Sequence, residues 1–416
     1  MQAVILSAGK SSRLFPYSEN KHKAMISLCG KPLLVQTIEQ IKSAGVTDVI
    51  IVVNEKSDIP SFIKTLDLHI TTSFVLLPDA LGMGDALLAT KEKLEDNFFV
   101  LHGNHVDAGS IIKKILEKKT SQEVILAIKN RSDYWTQGVV TIEKNKIVSV
   151  LEKPKKDKDI EKPCIVGVYY LSKDFIKTLS NTPLEHYQFE TALSAYAKHN
   201  VVSFVTLSEA TVSLKYPWDL LEVKDYLLGG IKNYRGKNTT IAESAEIIGV
   251  VWIGDNVIIR EGAKIKGPGY IGNNVSIGTN AIVRNGCIIE KDCVVGAQME
   301  VKNSILMQGT TTHSGFIGDS VIGEGCKIAA NFITANVRLD RKNVKATVRG
   351  EVVDTGKKSL GVIMGNNVKV GVQSSTMPGV IIGNNTVIGP STVVKNNIPS
   401  DVRYYTKFQE IIEEKQ

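Results

Sequence analysis

From Ile253 onward an apolar residue occupies every sixth position: Ile253, Ile259, Ile265, Ile271, Ile277, Val283, Ile289 and Val295. Small or short residues fall four places after the teeth of this comb, at Val257, Ala263, Gly269, Val275, Ala281, Cys287 and Cys293. A second comb runs through Met364, Val370, Thr376, Ile382, Ile388 and Val394. Such a period fits neither a helix nor a plain alternating strand. It fits a parallel β-solenoid, in which each hexad is a short strand plus a turn and the aliphatic teeth stack into a narrow interior. Apolar residues make up 43% of the chain, so eight successive hits in a given frame have a chance of roughly one in a thousand.

A chain of 416 residues is too long for one ordinary core, and two domains are expected. Residues 1–228 alternate strand and helix signals: a strand at Ala3 to Leu6, a helix at Lys31 to Ala44, a strand at Val49 to Val53, a helix at Gly84 to Leu94 and a strand at Phe98 to Leu101. That alternation predicts an open, mainly parallel sheet with helices on both faces and ligands at the carboxyl ends of its strands. Residues 229–239 read as a linker and 240–403 as the solenoid. A basic excursion at 337–360 interrupts it with Arg338, Arg341, Lys342, Lys345, Arg349, Lys357 and Lys358. Residues 404–416 read as a charged tail.

The net charge of +7 is mild, and no basic block is interleaved with aromatics. This disfavours nucleic acid and suits phosphorylated small substrates. Cys29, Cys164, Cys287, Cys293 and Cys326 show no CxxC spacing. They are expected as buried small hydrophobes in a reducing compartment rather than as disulfides or metal ligands. The N-terminal apolar run is short and lacks a basic flank, and no stretch approaches a membrane span, so a cytoplasmic protein with no membrane partner is expected.

After the first strand comes Leu6-Ser7-Ala8-Gly9-Lys10-Ser11-Ser12-Arg13, followed by Lys23 and by Gly30-Lys31-Pro32-Leu33 at a helix start. Small residues let backbone amides converge on phosphate oxygens, and Arg with Lys neutralises the charge. This order resembles the sugar-1-phosphate nucleotidyltransferases. Glu152-Lys153-Pro154, Gly138 before Val139-Val140, Gly167-Val168-Tyr169 and Tyr187-Gln188-Phe189-Glu190 are similar to that family's sugar-side segments. The resemblance implies a Rossmann-like domain in which Ala8, Gly9, Lys10, Ser11, Ser12 and Gly82 bind the nucleotide. It implies Arg13 and Lys23 on the triphosphate, and Gly138, Glu152 and Lys153 on the sugar phosphate.

The departures are specific. Ser11 stands where the family loop has a glycine, Gly82-Met83 where it has Gly-Thr, and Leu77 near the place of a base-reading glutamine. Asn104, after Gly103, holds the place of a metal-binding aspartate, and Ser213 that of the second metal acid. The family resemblance implies Mg²⁺, yet an amide and a hydroxyl are poor substitutes for the carboxylates that hard cation prefers. Asp107 and His105 stand close by in sequence as substitute ligands.

Where the first comb stops the chain reads Thr312-His313-Ser314-Gly315-Phe316-Ile317-Gly318-Asp319, and Asn336 and Lys342 follow. This stretch resembles the acetyltransferase half of the bifunctional enzymes that acetylate glucosamine-1-phosphate and then form the nucleotide sugar, and more closely their archaeal type. The resemblance implies a left-handed β-helix of hexapeptide repeats, commonly a homotrimer, with acetyl-CoA as cosubstrate. It also implies His313 as the base, Asn336 as a substrate contact and Lys342 near the substrate phosphate. Phe316 replaces a tyrosine. A histidine suits the task, since the attacking amine must lose a proton.

The expected function is therefore acetyl transfer to an amino-sugar-1-phosphate in the solenoid and nucleotidyl transfer, with UTP or dTTP favoured, onto a sugar-1-phosphate in the first domain. Asn104 and Ser213 motivate two rivals: an acetyltransferase whose first domain binds ligand without turnover, and a non-catalytic regulatory subunit.

Overall fold

The computed structural model describes residues 1–416 apart from 20, 120–123, 158–159, 210 and 415–416. The chain packs as two compact units, one of Met1–Lys10, His22–Ile26 and Pro32–Ser213, the other of Ser11–Lys21, Ser27–Lys31 and Leu214–Gln416.

The first unit is built on a sheet ordered Val202–Thr206, Val124–Arg131, Lys162–Ser172, Asn97–His102, Gln2–Ser7, Asp48–Val53, Thr71–Leu76. The four strands from Asn97–His102 to Thr71–Leu76 are parallel. Lys162–Ser172 runs antiparallel to both its neighbours, so the sheet is mixed rather than simply parallel. Alternate side chains of Gln2–Ser7 feed two cores, Ala3 and Ile5 into one and Val4 and Leu6 into the other, as the strand period of two requires. Helices Leu33–Ser43 and Ala108–Lys118 cover the first core, and Met83–Leu88, Lys173–Ser180 and Gln188–Ala197 the second. Both faces being covered, ligand access is left at the strand ends, where Ser7, His102 and the loops after them lie.

The second unit contains three long sheets of parallel strands, the faces of a β-helix. Ile253 pairs with Ile271 on the first face, Ile259 with Ile277 on the second and Ile265 with Val283 on the third. Every tooth of the first comb is at most 4% exposed. Corner residues Asn238, Asn256, Asn274 and Asp292 have positive φ, a conformation that short polar side chains tolerate. Their side chains join in a ladder with a step of 18 residues. The strand Tyr234–Arg235 already pairs with Val251–Ile253, so the solenoid begins inside the stretch read as a linker. At the far end Arg403–Tyr404 still pairs with Val387–Ile388. The residues beyond carry no regular structure up to 414, and 415–416 of the expected tail lie outside the described residues.

The coil step shortens from 18 residues to 17 and 16 between Ile289 and Ile328, which is why the hexad comb lapses there. It then jumps the excursion, whose strands Lys345–Val348 and Glu351–Asp354 form an antiparallel hairpin. All five cysteines are free. Among the described residues no helix is long and apolar enough to cross a membrane.

Candidate active sites

In the first unit Ala8 is buried just past the end of Gln2–Ser7, while a Cβ added to Gly9 would meet no atom within 4 Å. There is space beside its Cα. Lys10 pairs with Asp79 at 3.3 Å, both largely exposed. Gly82 caps Met83–Leu88 and leaves room for nothing larger, because a Cβ there would stand 2.6 Å from the carbonyl oxygen of His186. Lys23 opens a single 3₁₀ turn, and its charge is felt at His102. Burial first, then Lys23 and His105, bring the His102 imidazole down to about 3, so it is neutral. Ser11, Ser12 and Arg13 belong to the second unit. There Ser11 adopts the left-handed conformation at φ 49° before the turn Ser12–Leu14, in which Arg13 is exposed. A left-handed residue does the work expected of a loop glycine.

The sugar-side residues come together. Gly138 pairs in register with Glu152, and a Cβ on Gly138 would lie 2.9 Å from Glu152 Oε2. Lys153, with φ 46°, stands 3.7 Å from Glu152 and donates to Tyr187 Oη at 3.1 Å while facing the Tyr187 ring. Burial pushes Glu190 up to about 7, with the Glu152 charge adding to the rise. Glu190 and Tyr187 thus join a site that sequence reasoning assigned to Gly138, Glu152 and Lys153. The signal for them was the tyrosine-to-acid segment itself.

The metal position reads differently. Asn104 is 3% exposed and its Oδ1 has no hydrogen-bond partner. Asp107 does not supply the missing charge. Its Oδ1 faces His105 Nδ1 at 3.2 Å and its Oδ2 accepts the Val212 amide at 2.9 Å, so both oxygens are engaged. No cluster of three or more His, Cys, Asp or Glu able to hold a metal ion exists among the described residues. One neutral amide oxygen does not fit a resident Mg²⁺.

In the second unit His313 is exposed at the corner after the second-face strand Thr311–Thr312. Asn336 follows the third-face strand Phe332–Thr334. The two stand at opposite corners of one face, so a single chain does not bring them together. Asn336 is aligned by the carboxylate of Asp319, which is 2% exposed and also takes Lys302 Nζ at 2.8 Å and Asn303 Nδ2 at 2.7 Å. The Phe316 ring lies beside Asn336, both against Gly318, where a Cβ would meet them at 2.5 and 3.0 Å. Lys342 is exposed in the excursion, its amide donating to Asp340 at 3.2 Å.

Comparison with known proteins gives these sites a context. The Nucleotidyl transferase family matches residues 2–212, and the Bacterial transferase hexapeptide family matches 361–396. The bifunctional protein GlmU of Methanococcus maripaludis strain C7 is 37% identical, covering 100% of both chains. That of Methanocaldococcus jannaschii is 34% identical over 98% of each. The chain belongs to the bifunctional GlmU family. A further relative, the bifunctional sugar-1-phosphate nucleotidylyltransferase/acetyltransferase of Sulfurisphaera tokodaii, is 28% identical over 96% of this chain and 98% of its own. Within this GlmU-family chain the hexapeptide match covers the second comb and none of the first. The paired strands carry the stacked coils back to Tyr234.

Proposed function

We propose that this GlmU-family chain performs two transfers in amino-sugar nucleotide synthesis. In the solenoid the amine of an amino-sugar-1-phosphate attacks the thioester carbon of acetyl-CoA. A C–N bond forms, the C–S bond breaks, the amine proton passes to His313 and CoA leaves as its thiol. Asn336, held by Asp319, contacts the sugar, and Lys342 the phosphate. In the first domain a phosphate oxygen of the sugar-1-phosphate attacks the α-phosphorus of an NTP, with UTP or dTTP favoured, and pyrophosphate leaves. Ala8, Gly9, Lys10, Ser11, Ser12 and Gly82 cradle the nucleotide, Arg13 and Lys23 offset the triphosphate charge, and Gly138, Glu152 and Lys153 hold the sugar phosphate. Any divalent ion enters as the triphosphate's companion. Separation of His313 and Asn336 on one chain favours a homotrimer in which neighbouring solenoids complete the acyl site. A cytoplasmic setting suits substrates of this kind.

The observation that carries this reading is the end-to-end match with bifunctional relatives in a chain where the sugar-side cluster and the Asp319-aligned Asn336 are both assembled. Engagement of both Asp107 oxygens supports the acetyltransferase-only alternative, but the whole-length match outweighs it. The deciding experiment follows CoA release with amino-sugar phosphates, and pyrophosphate release from UTP, dTTP, CTP, ATP and GTP with a set of sugar phosphates. Turnover in both assays is expected. CoA release without pyrophosphate release from any NTP would leave the one-activity enzyme standing.

A further inference from the structure

At the corner that follows the third face, successive coils carry a chain of side-chain hydrogen bonds in which no link can be reversed. All its members lie in the second unit. Lys224, on the helix Leu220–Gly229, is fully buried and donates through Nζ to Asn303 Oδ1 at 2.9 Å, with Asp225 as its second acceptor. Asn303 Nδ2 donates to Asp319 Oδ1 at 2.7 Å. Asp319 Oδ2 accepts from Lys302 Nζ at 2.8 Å and from Asn336 Nδ2.

A side-chain amide turned end for end keeps its shape, so its direction comes from its neighbours. Here the neighbours leave no choice, because an ammonium only donates and a carboxylate only accepts. Lys224 takes the oxygen of Asn303, and Asp319 takes the nitrogen of Asn303 and that of Asn336. A ladder at another corner has no such end point: Asn256 donates to Asn274 and Asn274 to Asp292, which is exposed. Here the acid is 2% exposed, and the last member is the partly exposed Asn336, whose Oδ1 meets no donor among the described residues. Beside it stands the Phe316 ring, which has no hydrogen-bonding group to offer a ligand.

We propose that Asp319 is a positioning residue for acetyl transfer, which with Asn303 and Lys224 fixes Asn336 so that its carbonyl oxygen alone meets the amino group of the acceptor sugar. The proposal rests on the reading of Asn336 as a contact of the acetyl-transfer site. A neutral amine has two N–H groups and one lone pair. With one N–H donated to Asn336 Oδ1, the lone pair is left for the thioester carbon. The C–N bond forms, the C–S bond breaks, and the surplus proton of the nitrogen passes by way of the base to the departing CoA sulfur. Positive charge grows on the nitrogen as the C–N bond forms, so the bond to Oδ1 is stronger in the transition state than in the bound substrate. The opposite orientation would aim Nδ2 at the lone pair and tie up the electrons that the reaction uses.

The test uses the full-length protein with Asp319→Asn, with Asp319→Asn combined with Asn336→Asp, and with Asn336→Ala. In Asp319→Asn the new amide keeps its oxygen toward Asn303, which Lys224 holds in place. Its nitrogen then faces Asn336, which turns over. The kcat for CoA release with glucosamine-1-phosphate is expected to fall roughly 10- to 100-fold, with the sugar KM within about threefold of the parent and pyrophosphate release unaltered. In the double variant acid and amide exchange places, and residue 336 again shows the amine an oxygen. Its kcat is expected to stand at least about fivefold above those of Asp319→Asn and Asn336→Ala. Melting temperatures accompany each assay, and should Asp319→Asn fail to fold, the double variant decides against Asn336→Ala. Parent kcat in Asp319→Asn beside a loss in Asn336→Ala would overturn the role of Asp319 and leave Asn336 in the site. A double variant no better than Asn336→Ala would make Asp319 a support of the fold and overturn the proposal as well. So would a loss carried by the sugar KM instead of kcat. Full activity in Asn336→Ala would remove Asn336 from the site, and the reading would fail together with the proposal.

Discussion

The carboxylate of Asp107 accepts the backbone amide of Val212 at 2.9 Å, fixing the residue next to Ser213 from a point 105 positions earlier in the chain. Its other oxygen faces His105, so the acid closest in sequence to Asn104 acts as a clamp and adds no free charge. Asn104→Asp should therefore do what Asp107 cannot, supplying a carboxylate where an amide oxygen is unpartnered. The Mg²⁺ concentration giving half-maximal pyrophosphate release is expected to fall several-fold, and an unchanged Mg²⁺ titration would refute the assignment. Asp107→Ala leaves two buried donors unmet and should cost about 2–4 kcal/mol in urea unfolding.

His313→Ala should lower CoA release by roughly two to four orders of magnitude, the usual contribution of a general base. The neighbour Ser314→Ala should retain most of it, and pyrophosphate release should be unaffected in both. Equal losses in the two variants would mean that the corner matters for shape alone.

Gly138→Ala tests the sugar side by crowding, because the new methyl would sit 2.9 Å from Glu152 Oε2. Displacing Glu152 should raise the KM for the sugar-1-phosphate about tenfold, roughly the 1–3 kcal/mol of a lost charged hydrogen bond. The NTP KM should hold steady. A matching rise in both constants would place Glu152 elsewhere in the reaction.

Glu290 provides a pH signature. It is 3% exposed, accepts the Gly30 amide at 3.1 Å, and burial brings its carboxyl up to about 7 from 4.5. The folded chain thus keeps a proton that the unfolded chain releases earlier. Its stabilising share is complete below about pH 4.5 and is lost as the pH rises through 7. Glu290→Gln cannot lose a proton. The stability difference between pH 4.5 and 7.5 in urea unfolding should shrink by about 3 kcal/mol at most. Glu190 and Asp219, raised to about 7 and about 6, leave a residual slope of the same sign. An unaltered difference would remove Glu290 from this account.

Legibility from the sequence followed the range of the forces involved. The comb was readable because stacking in a solenoid repeats one local rule, and each predicted tooth is buried. The sugar cluster was readable in part: Gly138 and Glu152 meet by hairpin register, a short-range relation, whereas Glu190 arrives from a helix 38 positions further on. The seat of Ser11–Lys21 was not legible. Tyr17 lies 304 residues from Val321, and no periodicity reports a hydroxyl placed on a distant carbonyl. Asp107 misled for a related reason: sequence places an acid near Asn104 but is silent on which donors already occupy its oxygens. The left-handed Ser11 likewise hid behind the family's glycine, since the conformation survived while the residue changed.

The uneven coil step divides the solenoid into two kinds of length. From Tyr234 to Ile289 each turn of the helix repeats the one before it at a constant 18 residues, and stacked strands of identical register are interchangeable. From Ile289 to Met364 each turn has its own length, and none can be exchanged for another. Descendants of such a chain can gain or shed whole turns at the first stretch and remain in phase, while the second stretch must be inherited as a single block.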